Sequence, residues 1–329
     1  MLDRALLEDL VAQARLAPSV HNIQPTRWRA DGSGLLVLED TVRRLPVADP
    51  AGHDVRLSHG AAIEGLALAL AEKGLRIAKI VTLDGQPEAT GLRPVARLSF
   101  AAGASPDRLA NPVAARVSWR GAFRRADADS RQALAHLAAS NGDLRIVDQQ
   151  IAVAAITTLG DRAGLHFLRE EAHRREFLHW MRLSPAHPDY LRDGLNAEAM
   201  ALGRLEAIGA GLVLGALFPL LDRLGLVGTL TSERGKTGSG ALALFHRPAG
   251  EDALDTGRAF YRAWLAITAT GLAACPVSVL ADWPESRRTL EETHPLPTRR
   301  RLVNVFRLGL PVRAPANARA RLPVSELIV

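Results

Sequence analysis

The chain of 329 residues is long enough for one large or two ordinary domains, and its 47% hydrophobic and 23% charged residues make an ordinary globular balance. The formal charge of +6 comes from arginine rather than lysine and forms no block of like charges, which argues against a nucleic-acid tail. One cysteine, Cys275, excludes an internal disulfide and a cysteine metal cage, and fits a reducing cytoplasm. The opening MLDRALLEDL carries acids where a secretory leader needs bases. The most apolar stretch, 208–226, contains Pro219, Asp222 and Arg223, so no membrane span is expected.

Leu2, Leu6, Leu7, Leu10, Val11 and Ala14 repeat at helical spacing, with Asp3 placed to cap the start. Residues 17–25 then read Ala-Pro-Ser-Val-His-Asn-Ile-Gln-Pro. Pro18 and Pro25 stiffen this loop at both ends, and Ser19, His21, Asn22 and Gln24 between them supply hydrogen-bonding groups without an apolar period. Such a loop reads equally as a binding loop or as a capped turn satisfying its own backbone. Residues 27–30 and 35–39 flank Asp31-Gly32-Ser33-Gly34 as a hairpin. A helix is predicted over 58–73 and stopped by Gly74, with strands over 75–83 and 94–100.

The second half repeats this order of elements. Helix is predicted over 130–139, a strand over 144–147, and mostly helix over 151–180. Residues 184–194, with two prolines and a glycine, form a long loop of the kind that serves as a lid. A small-residue helix over 197–221, a strand over 241–245, an Ala-rich helix over 254–272 and strands over 277–280 and 302–308 complete the chain. Residues 60–83 read helix, Gly74-Leu75, then a β-rich run, and 259–280 read helix, Gly271-Leu272, then another. That pattern points to a duplicated α+β unit.

Arg116-Val117-Ser118-Trp119-Arg120 offers two guanidinium forks and a hydroxyl, chemistry suited to phosphate oxygens. Arg319-Ala320-Arg321-Leu322-Pro323 is a second basic element, and Arg299–Arg301 is as readily a solvated face as an anion site. No glycine-rich dinucleotide fingerprint, Walker loop or serine-nucleophile elbow is present. His173 and His179 lack metal-ligand spacing, and Cys275 reads as packing.

Taken together these motifs resemble the FMN-dependent nitroreductase family over nearly the whole chain. Residues 17–25 are similar to its Ser-Pro-Ser-x-x-Asn-x-Gln-Pro loop and 116–120 to its Arg-x-Ser-x-Lys/Arg phosphate motif. Residues 271–278 are similar to its Gly-Leu-x-x-x-Pro-Ile-Glu segment, and 319–323 to its closing Lys/Arg-x-Arg-Leu-Pro. The resemblance implies an internally duplicated nitroreductase-like α+β fold of mixed sheets flanked by helices. Residues 1–105 would form one half, without the phosphate motif. Residues 106–329 would form the other, with the FMN phosphate site and the lid segment 184–194. Family members are usually homodimers with FMN at the interface; the motif order here implies a fused pseudo-dimer, monomeric, with one surviving FMN site, resembling the Acg-like branch.

Carried over by position, Arg116, Ser118 and Arg120 would hold the FMN phosphate, helped by Arg319 and Arg321. Pro18, Ser19, Val20 and Asn22 would lie against the flavin. Pro276, Val277 and the Ser278 amide would face its reactive edge, and Arg234 its pyrimidine end. Three departures stand out: Thr26 replaces an aromatic residue, Val117 a basic or polar one, and Ser278 the family's acid. The resemblance implies a cytoplasmic NAD(P)H-dependent reductase of small nitro or quinone-like acceptors, without metal, nucleic-acid or membrane partners. The alternative it leaves is a flavin-sequestering protein whose lid excludes nicotinamide.

Overall fold

The computed structural model describes residues 3–32, 34–315 and 319–329. Met1, Leu2 and Ser33, which figure in the expected first helix and hairpin turn, lie outside the described residues.

Helix α1 (Arg4–Ala14) starts where the Asp3 carboxylate accepts the Leu6 N–H. Strands β1 (Thr26–Asp31) and β2 (Gly34–Asp40) form the expected hairpin. Helix α2 (His53–Glu72) begins five residues earlier than its sequence pattern indicates. Asp49 accepts the N–H groups of His53 and Val55 and so caps a turn that has no apolar period. Strands β3 (Leu75–Thr82) and β4 (Leu92–Ala102) complete an antiparallel sheet of order β1-β2-β4-β3.

The chain continues through β5 (Phe123–Arg124), α3 (Ala128–Ser140), β6 (Leu144–Val147), α4 (Gln150–Arg169) and α5 (Glu171–His179). The short strands β7 (Met181–Arg182) and β8 (Leu195–Asn196) pair in parallel and bracket the loop 183–194. Where sequence indicates one helix over 197–221, the structure has turns followed by three short helices. These are α6 (Arg204–Leu214), α7 (Phe218–Arg223) and α8 (Val227–Leu230). Gly215, at φ −97° and ψ −114°, ends α6, and Pro219 is accommodated only because it falls in the first turn of α7. Then come α9 (Arg234–Thr237), β9 (Ala241–Pro248), α10 (Ala253–Ala269) and β10 (Ala273–Pro276). The strand expected over 277–280 is displaced: β10 ends at Pro276, Val277 N–H donates to the Val305 carbonyl, and the chain turns into α11 (Val279–Asp282). Helix α12 (Pro284–Thr293), strand β11 (Arg300–Pro311) and α13 (Val324–Leu327) close it. The second sheet runs β10-β11-β9-β6, with β5 against β11.

The two sheets are thus drawn from 26–102 and 123–311, and each lies on a central helix, α2 or α10. Those helices cross at a reciprocal glycine contact. A Cβ on Gly60 would stand 2.0 Å from the Leu254 carbonyl oxygen, and one on Gly257 would stand 2.0 Å from that of Leu57. Gly74 and Gly271, both at positive φ, end the helical stretches at equivalent points. The pairs 57/254, 60/257 and 74/271 share one constant offset, which gives the repeat seen in sequence a geometric register.

Each sheet also gains a bridge at its edge from an irregular or terminal segment. Ile328 bridges Trp28 at the edge of the first sheet, and Val329 N–H donates to the Trp28 carbonyl at 2.9 Å. Ser118 bridges Ala274 at the edge of the second, where Trp119 N–H donates to the Ala274 carbonyl at 2.9 Å. No helix of the described residues is long and apolar enough to cross a membrane.

Candidate functional site

One cavity draws its lining from segments spread along the chain. It is lined by the loop after α1, the first turns of α2, the 116–120 segment, α10, the end of β10, residues 194–201 and the tail before α13. The loop is strained as well as stiff. His21, Asn22 and Gln24 all adopt positive φ (44°, 57° and 51°), a conformation that costs non-glycine residues about 1–2 kcal/mol each. Surrounding bonds over-determine it. Gln24 N–H donates to Ser19 Oγ at 3.0 Å and Val20 N–H to Ser58 Oγ at 3.1 Å. Asn22 Nδ2 donates to the carbonyls of Gly194 and Ala320, both at 3.1 Å, while Asn22 Oδ1 accepts from Arg321 at 2.8 Å. Gln24 bonds the Arg192 carbonyl and the Leu322 N–H. The side chains of Asn22 and Gln24 are therefore clamps from loop to wall and tail, leaving Pro18, Ser19, Val20 and His21 as the loop's free lining.

One end of the cavity is cationic. Arg116 is 3% exposed, lies 4.5 Å over the Trp264 ring, donates to the Leu16 carbonyl at 2.8 Å, and keeps a buried Nε without a partner. Arg319 donates to the carbonyls of Ala114 and Arg116. Arg321 donates to the Arg15 carbonyl at 2.7 Å, and burial plus the neighbouring Arg116 and Arg319 push its pKa down to about 9. Arg120 donates to the Ala199 carbonyl at 3.0 Å. Among the described residues none of these four guanidinium groups is paired with a carboxylate, whereas the buried Arg27 and Arg182 are paired with Asp40 and Asp193. Three cations gathered against one another without an acid make a site for an anion. Of the seven buried side-chain polar atoms without a partner among the described residues, four sit at or just behind this cavity: His21 Nδ1, Arg116 Nε, Tyr261 Oη and Trp264 Nε1. A polar guest is what such atoms require.

The lining also holds carboxyl groups, those of Asp54 and Glu198. Asp54, in the first turn of α2, lines the cavity; burial, Asp282 and Asp49 raise its pKa. Asp282, which bonds Ser278 but remains open to solvent, is raised in the same direction. His21 is held neutral, at about 4, by burial first and then by Arg120 and His173.

Of the residues singled out in sequence, Pro18, Ser19, Val20, Asn22, Arg116, Ser118, Arg120, Pro276, Ser278, Arg319 and Arg321 line this one cavity. Val277 does not; it packs against the core beneath the second sheet, and its N–H is spent on Val305. Arg234 also lies elsewhere, 62% exposed on α9 and 3.5 Å from Asp161. In segment 184–194 only Gly194 reaches the cavity. The rest is fixed beside it: Asp193 pairs with Arg43 and Arg182 at 2.8 Å each, and Tyr190 donates to Glu198. The wall belongs to Gly194, Leu195, Glu198, Ala199 and Ala201, the last at φ 57°.

Sequence reading missed Asp54, Ser58, Trp264 and Asn304 as lining residues. Asp54 lies before the predicted start of α2 and Ser58 at that start, where it reads as a helix opener, and Trp264 looks like any buried aromatic. Asn304 reaches the cavity through a bulge opposite β9, between Leu302 and Asn304, that no pattern announces.

No family profile matches the chain, and no curated protein matches it. Among solved structures, it is similar to a nitroreductase with bound FMN from Bacteroides fragilis NCTC 9343, at 14% identity and TM-score 0.34, over 63% of this chain and 89% of that one. It is similar also to the FMN-dependent nitroreductase NfnB from Mycobacterium smegmatis in complex with NADPH, at 20% identity and TM-score 0.36, over 66% and 94%. A nitroreductase-like family protein from Bacillus cereus matches at 12% identity and TM-score 0.28, over 68% and 96%.

Proposed function

We propose that the cavity binds FMN and that the chain is a flavoprotein reductase of small nitro or quinone-like acceptors. The observation that carries this reading is the buried guanidinium group of Arg116 with the partly buried Arg319 and Arg321 beside it, converging without a carboxylate among the described residues. Together with Arg120 and the Ser118 hydroxyl they would hold the phosphate. A free Arg116 Nε and four arginines fit a dianionic phosphate better than a carboxylate. Pro18, Ser19, Val20 and Pro276 would flank the ring, with the Ser278 amide at its edge. Asn22 would fix the loop rather than bond the ligand, and neither Val277 nor Arg234 belongs to the set. The bound flavin would supply hydride chemistry between a nicotinamide donor and the acceptor.

On this reading the chain is a fused pseudo-dimer of the Acg-like kind, with halves near 1–105 and 106–329. Its site needs no second copy, because the reciprocal glycine crossing already joins two halves. Flavin sequestration is the second reading. It is favoured by the way residues 194–201 are tied to Asn22, Arg120 and Tyr190, which makes that wall a fixed cover rather than a swinging lid.

The test is a fluorescence titration of the apoprotein with FMN and with riboflavin. FMN should bind at least tenfold more tightly, a difference that vanishes in Arg116→Met; equal affinity for both ligands would overturn the phosphate site. NADPH added anaerobically to the FMN complex then separates the two readings. Bleaching establishes the reductase. Persistence of the oxidised bands, with bleaching by dithionite, establishes sequestration.

A further inference from the structure

Helices α6 to α8 carry an apolar face that the rest of the chain leaves uncovered. Leu205, Ile208 and Leu212 follow one another at helical spacing on α6 and are 85%, 63% and 49% exposed. Leu217, Leu220 and Leu224 repeat that spacing along α7 and its flanks. Leu226 and Leu230 extend the face across α8. The three helices pack consecutively on one another, so their exposed side chains belong to one platform. Eight large apolar side chains exposed along consecutive helices go beyond the singly scattered apolar residues that are normal on a monomer surface.

We propose that this platform joins two copies of this chain. Charge points to a self-contact. The chain carries +6, but residues 201–230 hold two arginines, Arg204 and Arg223, against Glu206 and Asp222. The platform is therefore neutral, the one requirement for like-charged copies to meet without repulsion. A two-fold contact must be self-complementary, and a face of leucine and isoleucine meets that condition by composition. A lipid surface is the poorer occupant, because an interfacial helix draws on a Lys/Arg-rich polar face and this one balances each cation with an acid. An unrelated protein partner is poorer too, since the exposed large side chains include none of the aromatic anchors that dominate such contacts. The platform begins three residues after Ala201 of the cavity wall, so pairing would brace that wall from outside. The proposal does not depend on what the cavity holds.

The test is sedimentation equilibrium of the purified full chain over a micromolar range, with Ile208→Arg/Leu220→Arg as the variant. The expected result is twice the 35.4 kDa chain mass for the wild type and a single mass for the variant, with unchanged circular dichroism and melting. A wild type at single mass throughout overturns the proposal, and so does a variant that stays at twice the mass. Flotation of a single-mass wild type with phosphatidylcholine or phosphatidylglycerol vesicles would assign the face to lipid instead.

Discussion

Asp54 shows how the site is paid for in stability. Its carboxylate lies in the first turn of α2, where the helix dipole favours a negative charge by about 0.3–1 kcal/mol. Burial and the like charges of Asp282 and Asp49 oppose this and prevail, raising the pKa. The native state then holds a proton that the unfolded chain releases. Stability is complete below the unfolded value near pH 4 and falls as pH rises through the folded value. Asp54→Asn should therefore raise the melting temperature at pH 8, by an amount equivalent to about 1 kcal/mol, and leave it unchanged at pH 4. Thermal melts of both proteins across that range check this; a variant destabilised at pH 8 would mean that the carboxylate is compensated. Histidine 246 obeys the opposite sign. It is 3% exposed, accepts a hydrogen bond from Arg300, and is lowered to about 4 by burial and then by Arg300. The stability it lends is full above about pH 6.5 and is lost as pH falls toward 4. The gap in melting temperature between the wild type and His246→Asn should narrow as pH falls through that window, which isolates this histidine from the opposite slope of Asp54.

The central crossing is decided by backbone approach, since each glycine of the pair faces a carbonyl oxygen rather than a side chain that could turn aside. Gly257→Ala should cost about 3 kcal/mol or more, read as a lower urea midpoint. Gly209→Ala, where an added Cβ meets nothing within 4 Å inside α6, should be neutral or stabilising by up to about 1 kcal/mol. Similar losses in both variants would refute the crossing. The same contrast marks what sequence could reveal. The hairpin, the order of elements and the Gly74/Gly271 stops follow local rules and were legible. The single helix over 197–221 and the strand over 277–280 were not. The first depended on how Tyr190, Asn196 and Arg120 hold residues 190–199, and the second on Val277 pairing with Val305 across the sheet. Composition likewise named the arginines of the site without showing that the lid residues 184–193 stand outside it.

The two edge-bridging segments bring the site together from regions far apart in the chain. Arg319 and Arg321 lie on the tail whose Leu322 and Leu327 enter the core of the first sheet. Arg116, Ser118 and Arg120 lie on the segment that bridges the second sheet. Binding and folding should therefore be coupled through the tail. A chain ending at Pro311 is expected to melt lower and to lose FMN affinity. Arg319→Ala in the full chain should weaken FMN about tenfold, the value of one charge-assisted hydrogen bond, while melting stays within a few degrees of wild type. Isothermal titration with differential scanning calorimetry separates these outcomes. Sequence motifs identified both segments, but no local signal states which sheet edge each one meets, because the pairing joins Ser118 to Ala274 and Trp28 to Ile328 across long stretches of chain.

The bridge between Trp28 and Ile328 also sets a schedule. Strand β1 is made early, pairs with β2 on one side, and has its other edge open until residues some 300 positions downstream arrive. During that interval an unpaired edge is exposed, with Trp28 in the core beside it, in the state most prone to pairing with another chain. Closure of so distant a contact is slow. A cavity lined from both ends of one chain thus comes with a nascent protein whose first sheet must wait to be finished.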